Sequence, residues 1–186
     1  MLGCVDHPTT ATLQAGLDDV RRSPADIGRV ELIVRRPDVD EREVLEEATL
    51  DTAAGLVGDT WKVRGSRRTT DGSAHPEMQL NIMNARAARL VAGDDDRCQL
   101  AGDQLYFDLD ISVANLPPGT QLALGTAVIE VTAQPHTGCA KFARRFGEEA
   151  LKFVNSDVGK ELRLRGMNAK VVVPGTVRAG DEVRKL

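Results

Sequence analysis

A histidine and a cysteine stand three positions apart in "PHTGCAKF", residues 135–142. A thiolate is a soft metal ligand, and it is also the form that carries a persulfide sulfur or attacks an electrophile. Cys139 is therefore a candidate catalytic residue and a candidate metal ligand. His136 is a candidate proton donor or hydrogen-bond partner for it. The stretch follows the apolar run "AVIEVT" and precedes the amphipathic run "AKFARRFGEEALKFV". Cys139 is thus expected just past a strand, opening a helix whose unsatisfied N–H groups favour a thiolate. Gly138 would let a ligand approach the backbone closely. Thr137 suits a local turn or cap contact, and Lys141 could hold an anion. The plainer reading is a small buried cysteine beside a water-satisfied histidine.

A second group lies between Trp61 and Arg68, where Lys62, Arg64, Arg67 and Arg68 fall within eight residues. Guanidinium forks match phosphate oxygens two at a time, so this run is a candidate clamp for a small anion, against the alternative of a solvated loop. Gly58 and Asp59 read as the turn that positions it. Trp61 is a core plug or a flat surface for a ring. His75, and then Asn81, Asn84 and Arg86 around the next strand, are further candidates to reach a pocket. Two other constellations compete. Cys4 and His7 with His136 and Cys139 offer the donor set of a Cys2His2 zinc site, without the usual context. His75 or His136 with Cys139 offers a metal-free cysteine hydrolase or transferase, without a marked orienting Asn or Asp. A non-catalytic ligand-binding barrel needs none of them. Cys98, in "DDDRCQLAGD", sits among carboxylates that oppose a thiolate.

The 186 residues suffice for one domain with a full core. Only 3% are aromatic, so Val, Leu, Ile and Ala must fill that core. A net charge of −4 and a pI near 5.4 argue against nucleic-acid binding. No apolar run is long enough to span a membrane, and the start lacks the regions of a signal peptide. Three widely spaced cysteines are not a disulfide framework, so a cytoplasmic protein is expected. "TTATLQAGLDDVRRSP" reads as a helix, "GRVELIVRR" as a strand and "EREVLEEA" as one or two helical turns. "QLNIMN" reads as a strand, "ARAARLVAG" as a helix, and "DQLYFDLDI" as a strand with Leu105, Phe107, Leu109 and Ile111 on one face. A hairpin over "TQLALGTAVIEVT" follows. After the Cys139 helix, "GKELRLRG", "NAKVVVPG" and "DEVRKL" read as three strands. Short strands with Gly and Pro turns imply a mostly β, closed or partly closed barrel with helical insertions. The division expected is an N-terminal helical extension over 1–28 and the barrel over 29–186.

"AGLVGDTW", "MQLNIMN", "AGDQLYFDLDI", "LPPGTQLALGTAVIEVTAQPHTGCAKF" and "LRGMNAKVVVPGTVRAGDEVRKL" together resemble the MOSC domain family, named after the C-terminal domain of molybdenum cofactor sulfurases. The resemblance is to a stand-alone bacterial member. It implies a strongly bent β-barrel of the kind seen in pyruvate kinase, and a cysteine at the position of Cys139 that carries sulfur or ligates molybdenum. It also implies molybdenum cofactor as ligand, a pterin with a phosphate and a dithiolene-bound metal, serving redox chemistry or sulfur or cofactor transfer. A sulfur donor or redox protein would then be the partner. Lys62, Arg64, Arg67, Arg68, Asp59, His75, Asn81, Asn84, Arg86, Thr137, Gly138 and Lys141 become candidate contacts to it at a barrel mouth. Pyridoxal phosphate is a term of the wider family, and a covalent one is not expected without a transaminase-like domain.

Overall fold

The computed structural model describes residues 7–186. These form eleven strands, seven short α-helices and two 3-10 helices, Pro76–Met78 and Asp95–Ala101. The strands are β1 (Ile27–Arg35), β2 (Glu43–Leu45), β3 (Glu47–Asp51), β4 (Gly55–Leu56), β5 (Leu80–Asn84), β6 (Leu105–Asp108), β7 (Gln121–Leu124), β8 (Ala127–Val131), β9 (Met167–Val173), β10 (Gly175–Arg178) and β11 (Glu182–Lys185). The helices are α1 (Thr10–Ala15), α2 (Leu17–Arg21), α3 (Trp61–Arg64), α4 (Ala85–Ala92), α5 (Ala140–Phe146), α6 (Glu148–Val154) and α7 (Asp157–Glu161).

Seven strands close a mixed barrel in the order β11-β7-β8-β9-β5-β6-β1, and β1 pairs back to β11. Its inner face is filled by alternate residues of each strand, among them Leu80 and Ile82, Leu105 and Phe107, Leu122 and Leu124, and Met167, Ala169 and Val171. The strand-by-strand alternation in the sequence produces this interior directly, because successive side chains point to opposite faces. Along β1 the register shifts between Val30 and Leu32. Val30 and Ile33 therefore face the interior, while Val34 faces outward under the helices with Leu32 beside it. That outer layer holds Met83, Tyr106, Phe142, Phe146 and Phe153, together with Leu13, Leu17 and Val20 of the N-terminal helices.

The structure corrects several local expectations. "EREVLEEA" is strand, since β2 lies on β1 with Ile33 opposite Leu45, and β3 pairs with β10. Cross-strand pairing overrides the helix preference of its glutamates. "GKELRLRG" is α7 and a turn, started by the Ser156 side chain accepting from the Gly159 N–H. The N-terminal helix is split at Gly16. The helix after Cys139 is split at Gly147, whose φ of 91° no helix accommodates. β5 and β6 are parallel, joined across α4, a βαβ unit not expected from the sequence. The other pairings are antiparallel as expected for a barrel built of hairpins. Among the described residues, no helix is long and apolar enough to cross a membrane.

Candidate functional site

Strand parity decides where the polar residues go. Leu80 and Ile82 point into the barrel, so Asn81 points out, and its register partner Asn168 points out beside Met167 and Ala169. Arg36 follows Val34 onto the same outer face. Arg36 and Asn81 floor a cavity of about 430 Å³. Its lining is Asn81 of β5 and residues of the connections next to the strand ends, apart from the barrel interior, which apolar side chains fill. The chain between β1 and β2, the segment 60–66 and α5 supply the walls.

The floor is a continuous polar network. Arg36 Nε and Nη2 grip both oxygens of Asp59 at 2.8 and 2.7 Å, and its Nη1 donates to Asn81 Oδ1 and to the Gly102 carbonyl, each at 2.9 Å. Asp59 also accepts from the Trp61 N–H. Asn81 Nδ2 donates to Asn168 Oδ1 at 2.7 Å, and Asn168 Nδ2 donates to the carbonyl of Gln134, just ahead of "PHTGC". One chain of hydrogen bonds thus ties the Trp61 segment to the cysteine loop. Beside it, fully buried Asp103 takes His136 Nε2 at 2.9 Å on one oxygen and Arg165 Nη1 at 2.7 Å on the other. Burial pushes the Asp103 carboxyl up, but Arg165 and His136 outweigh it and hold it down to about 2. The Arg165 guanidinium lies 5.1 Å from the centroid of the Phe142 ring.

Cys139 is exposed, caps the start of α5 and lines the cavity with His136, Lys141 and Phe142. Arg42, Arg64 and Arg145 complete the cationic lining, against Asp38 and Asp40. Asp40 draws Arg145 and Lys141 together at 2.8 and 3.3 Å. Arg42 remains crowded: burial, then Arg145 and Arg36, work against its charge. Three buried donors find no acceptor among the described residues: Arg42 Nε, Arg165 Nε and Trp61 Nε1. Such unpaired buried donors are costly, and a ligand with acceptor oxygens or nitrogens would satisfy them.

Of the residues singled out in the sequence, Cys139, His136, Lys141, Arg64, His75 and Asn81 line the cavity. Asp59 lies beneath it as the partner of Arg36. Lys62, Arg67 and Arg68 are exposed and outside the lining: of the two cations on α3 only Arg64 reaches it, and Arg67 and Arg68 follow the end of that helix. Asn84 caps α4 and donates to Ser23 and to the Leu109 carbonyl, and Arg86 pairs with Asp108. Neither reaches the cavity. Thr137 is exposed outside the lining. The side Gly138 leaves bare faces α6, where a Cβ would meet Leu151 at 2.7 Å, so its close approach is to a helix and not to a ligand. Asn155 holds that junction by accepting from the Gly138 N–H at 2.9 Å. Of the zinc set, His7 packs beside Gly147 and Cys4 lies outside the described residues. Among the described residues no group of three or more His, Cys, Asp or Glu is arranged to hold a metal ion. Arg36, Arg42, Asp103, Arg145, Arg165 and Asn168 were not singled out. For Arg36 a signal existed, the outward alternation with Val34. Asp103 and Arg165 are 62 residues apart and meet only through the fold.

The comparisons bear on the same half of the cavity. Residues 108–184 match the model of the MOSC domain. The MOSC match runs from the end of β6 through most of β11 and contains His136, Cys139 and Arg165, whereas Arg36, Asp59 and Arg64 precede it. A comparison with curated proteins finds no match. Among solved structures, the YuaD protein of Bacillus subtilis superposes with a TM-score of 0.64 at 14% identity, covering 84% of this chain and 94% of that one. YiiM of Escherichia coli gives 0.54 at 20% identity, covering 85% and 69%. YiiM of Geobacillus stearothermophilus gives 0.54 at 13% identity, covering 87% and 73%. At these identities the structures establish the shared fold.

The two described cysteines differ sharply. Cys98 is buried, and burial followed by the charge of Asp95 pushes its thiol up to about 11. The carboxylate effect expected from the sequence is present but is the smaller cause. Timed alkylation at neutral pH should label Cys139 well before Cys98, read by peptide mass; faster labelling of Cys98 in the folded protein would contradict this.

Proposed function

We propose that the cavity binds molybdenum cofactor, or a molybdenum or sulfur species derived from it, with Cys139 as the protein's metal ligand or sulfur carrier. The observation that carries this reading is an exposed thiol on the wall of a cavity with six cationic side chains, two carboxylates and three buried donors that lack acceptors. The MOSC match supports the ligand class. The donor set fits the group. A metal already held by a dithiolene needs one soft ligand from the protein, not a cluster, and a thiolate supplies it. The cofactor's phosphate and the polar edge of its pterin offer the acceptors that Arg42, Arg165 and Trp61 lack. Bound there, the cofactor would supply a redox-active metal for reduction, or a sulfur to be passed on.

The chain's own residues have separate tasks in this reading. Arg42, Arg64 and Arg145 hold the anionic end, and the crowding of their charges is relieved when it arrives. Arg36, saturated by Asp59, Asn81 and Gly102, keeps the floor rigid and contributes charge from below. Phe142 and Trp61 shield the ligand from water. His136 holds or moves a proton. Cys139 Sγ ligates the metal or bears the sulfur.

The clamp is tested with cofactor released from a carrier enzyme and titrated across a salt series. Arg42→Gln with Arg64→Gln should weaken binding by about 1–3 kcal/mol in total and flatten its salt dependence. Arg67→Gln with Arg68→Gln should leave both unchanged. Equal losses from the two pairs would mean that overall charge, and not this cavity, governs binding.

A further inference from the structure

Asp103 is fully closed from solvent, and both its oxygens are committed. Arg165 is also tied down. Its Nη2 donates to the Ala101 carbonyl at 3.0 Å, and its guanidinium rests on Phe142. The Asp103 oxygen facing Arg165 is therefore fixed, and the other must face His136. An ionised carboxylate only accepts hydrogen bonds, so the His136 nitrogen 2.9 Å away carries a proton. That nitrogen is Nε2. The ring is seated by Gly166, where a Cβ would come within 3.1 Å of His136 Cδ2, at a φ of 110° that glycine adopts readily. Nδ1 has no hydrogen-bond partner among the described residues, and it is not among the buried atoms left unpaired. It is therefore open on the side where His136 lines the cavity.

We infer that Asp103, held by Arg165, is a positioning residue that fixes His136 as its Nε2–H tautomer and so presents an unprotonated Nδ1 to the cavity as a proton acceptor. Burial, and then the charge of Arg165, lower the affinity of His136 for a second proton, which agrees with a neutral ring. A neutral ring so held can take a proton from a donor atom of a bound ligand or from an incoming thiol. The X–H bond breaks, its electron pair stays on X, and the proton passes to Nδ1. The imidazolium formed remains hydrogen-bonded through Nε2–H to the Asp103 carboxylate, whose charge does not change. Among a lining dominated by donors, this nitrogen selects ligands that are anionic yet carry one donor facing it. The use of Nδ1 rests on the cavity being the ligand site proposed above, but its tautomer does not, so the two readings fail separately.

The test is the long-range 15N–1H spectrum of the histidine rings in the ligand-free, full-length protein at neutral pH. His136 should show a protonated Nε2 and a bare Nδ1. A proton on Nδ1, or on both nitrogens, would overturn the inference, and this measurement needs no variant. In Asp103→Asn, Arg165 demands the amide oxygen, which leaves the amide NH2 facing Nε2. The His136 proton should then move to Nδ1, the same inversion of tautomer that an Asp-to-Asn change produces in a Ser-His-Asp triad. His75, whose Nδ1 already accepts from the Glu77 N–H, should not change and serves as the internal reference. If His136 keeps Nε2–H in Asp103→Asn, Asp103 does not set the tautomer.

Discussion

Arg36→Ala is expected to lower the unfolding free energy by about 3–5 kcal/mol, measured by denaturant titration. The Asp59 side chain is 0% exposed and that of Arg36 6%, so the change takes the ion-pair partner from a buried carboxylate. Arg36 also joins three stretches of chain that are distant in sequence, through Asp59, Asn81 and the Gly102 carbonyl. Its removal takes a donor from Asn81 Oδ1 and from the Gly102 carbonyl, and leaves Asp59 with only neutral donors, the Arg36 and Trp61 N–H groups and Gln104 Nε2. Arg36→Lys should recover only part of the loss, because an ammonium cannot span both carboxylate oxygens as the fork does. Arg36→Met with Asp59→Leu should recover more than either single change, because no charge is then left buried. A loss of less than 1 kcal/mol in Arg36→Ala would mean that the cavity floor is not the rigid element described here.

The barrel was largely legible because its strands are short, alternate cleanly and end at Gly or Pro turns. "TQLALGTAVIEVT" is the clearest case: Leu122 and Leu124 pair with Ile129 and Ala127 across a two-residue turn at Gly125 and Thr126. The misread segments are those in which local preference and tertiary pairing disagree. "EREVLEEA" is rich in helix formers but lies along β1 and β10, where backbone pairing decides. "LRLRG" alternates like a strand yet only bridges α7 to β9, and its second arginine, Arg165, turns back to bury against Asp103.

The site was half legible for a related reason. Cys139, His136 and Lys141 are close in sequence, and a strand-to-helix junction keeps them close in space. The rest of the lining comes from four separate connections that meet only once the barrel closes. A run of basic residues in one loop, "KVRGSRR", drew notice because it is dense. Of that run only Arg64 lines the cavity, where Arg36, Arg42, Lys141, Arg145 and Arg165 join it from elsewhere in the chain. Density along the chain marks solvated charge. Convergence requires the register of β1, β5, β6 and β9, which local patterns do not contain.

If Cys139 is the metal ligand or sulfur carrier proposed above, Cys139→Ser should abolish molybdenum binding or sulfur loading while leaving the fold intact. Serine is nearly the same size, and Cys139 is exposed and makes no side-chain cap to α5, so the change opens no cavity and breaks no hydrogen bond. What changes is the ligand atom. Oxygen is harder than sulfur, holds a soft metal poorly and cannot carry a persulfide. Unfolding of the two proteins should coincide within about 0.5 kcal/mol, as for a surface substitution. The deciding measurement is molybdenum content and intact mass of wild type and Cys139→Ser, both purified from a host that makes molybdenum cofactor. The role proposed for Cys139 requires near-stoichiometric molybdenum, or an added sulfur mass, in the wild type and neither in the variant. Equal molybdenum in both proteins, or a wild type that carries neither metal nor sulfur, would contradict it.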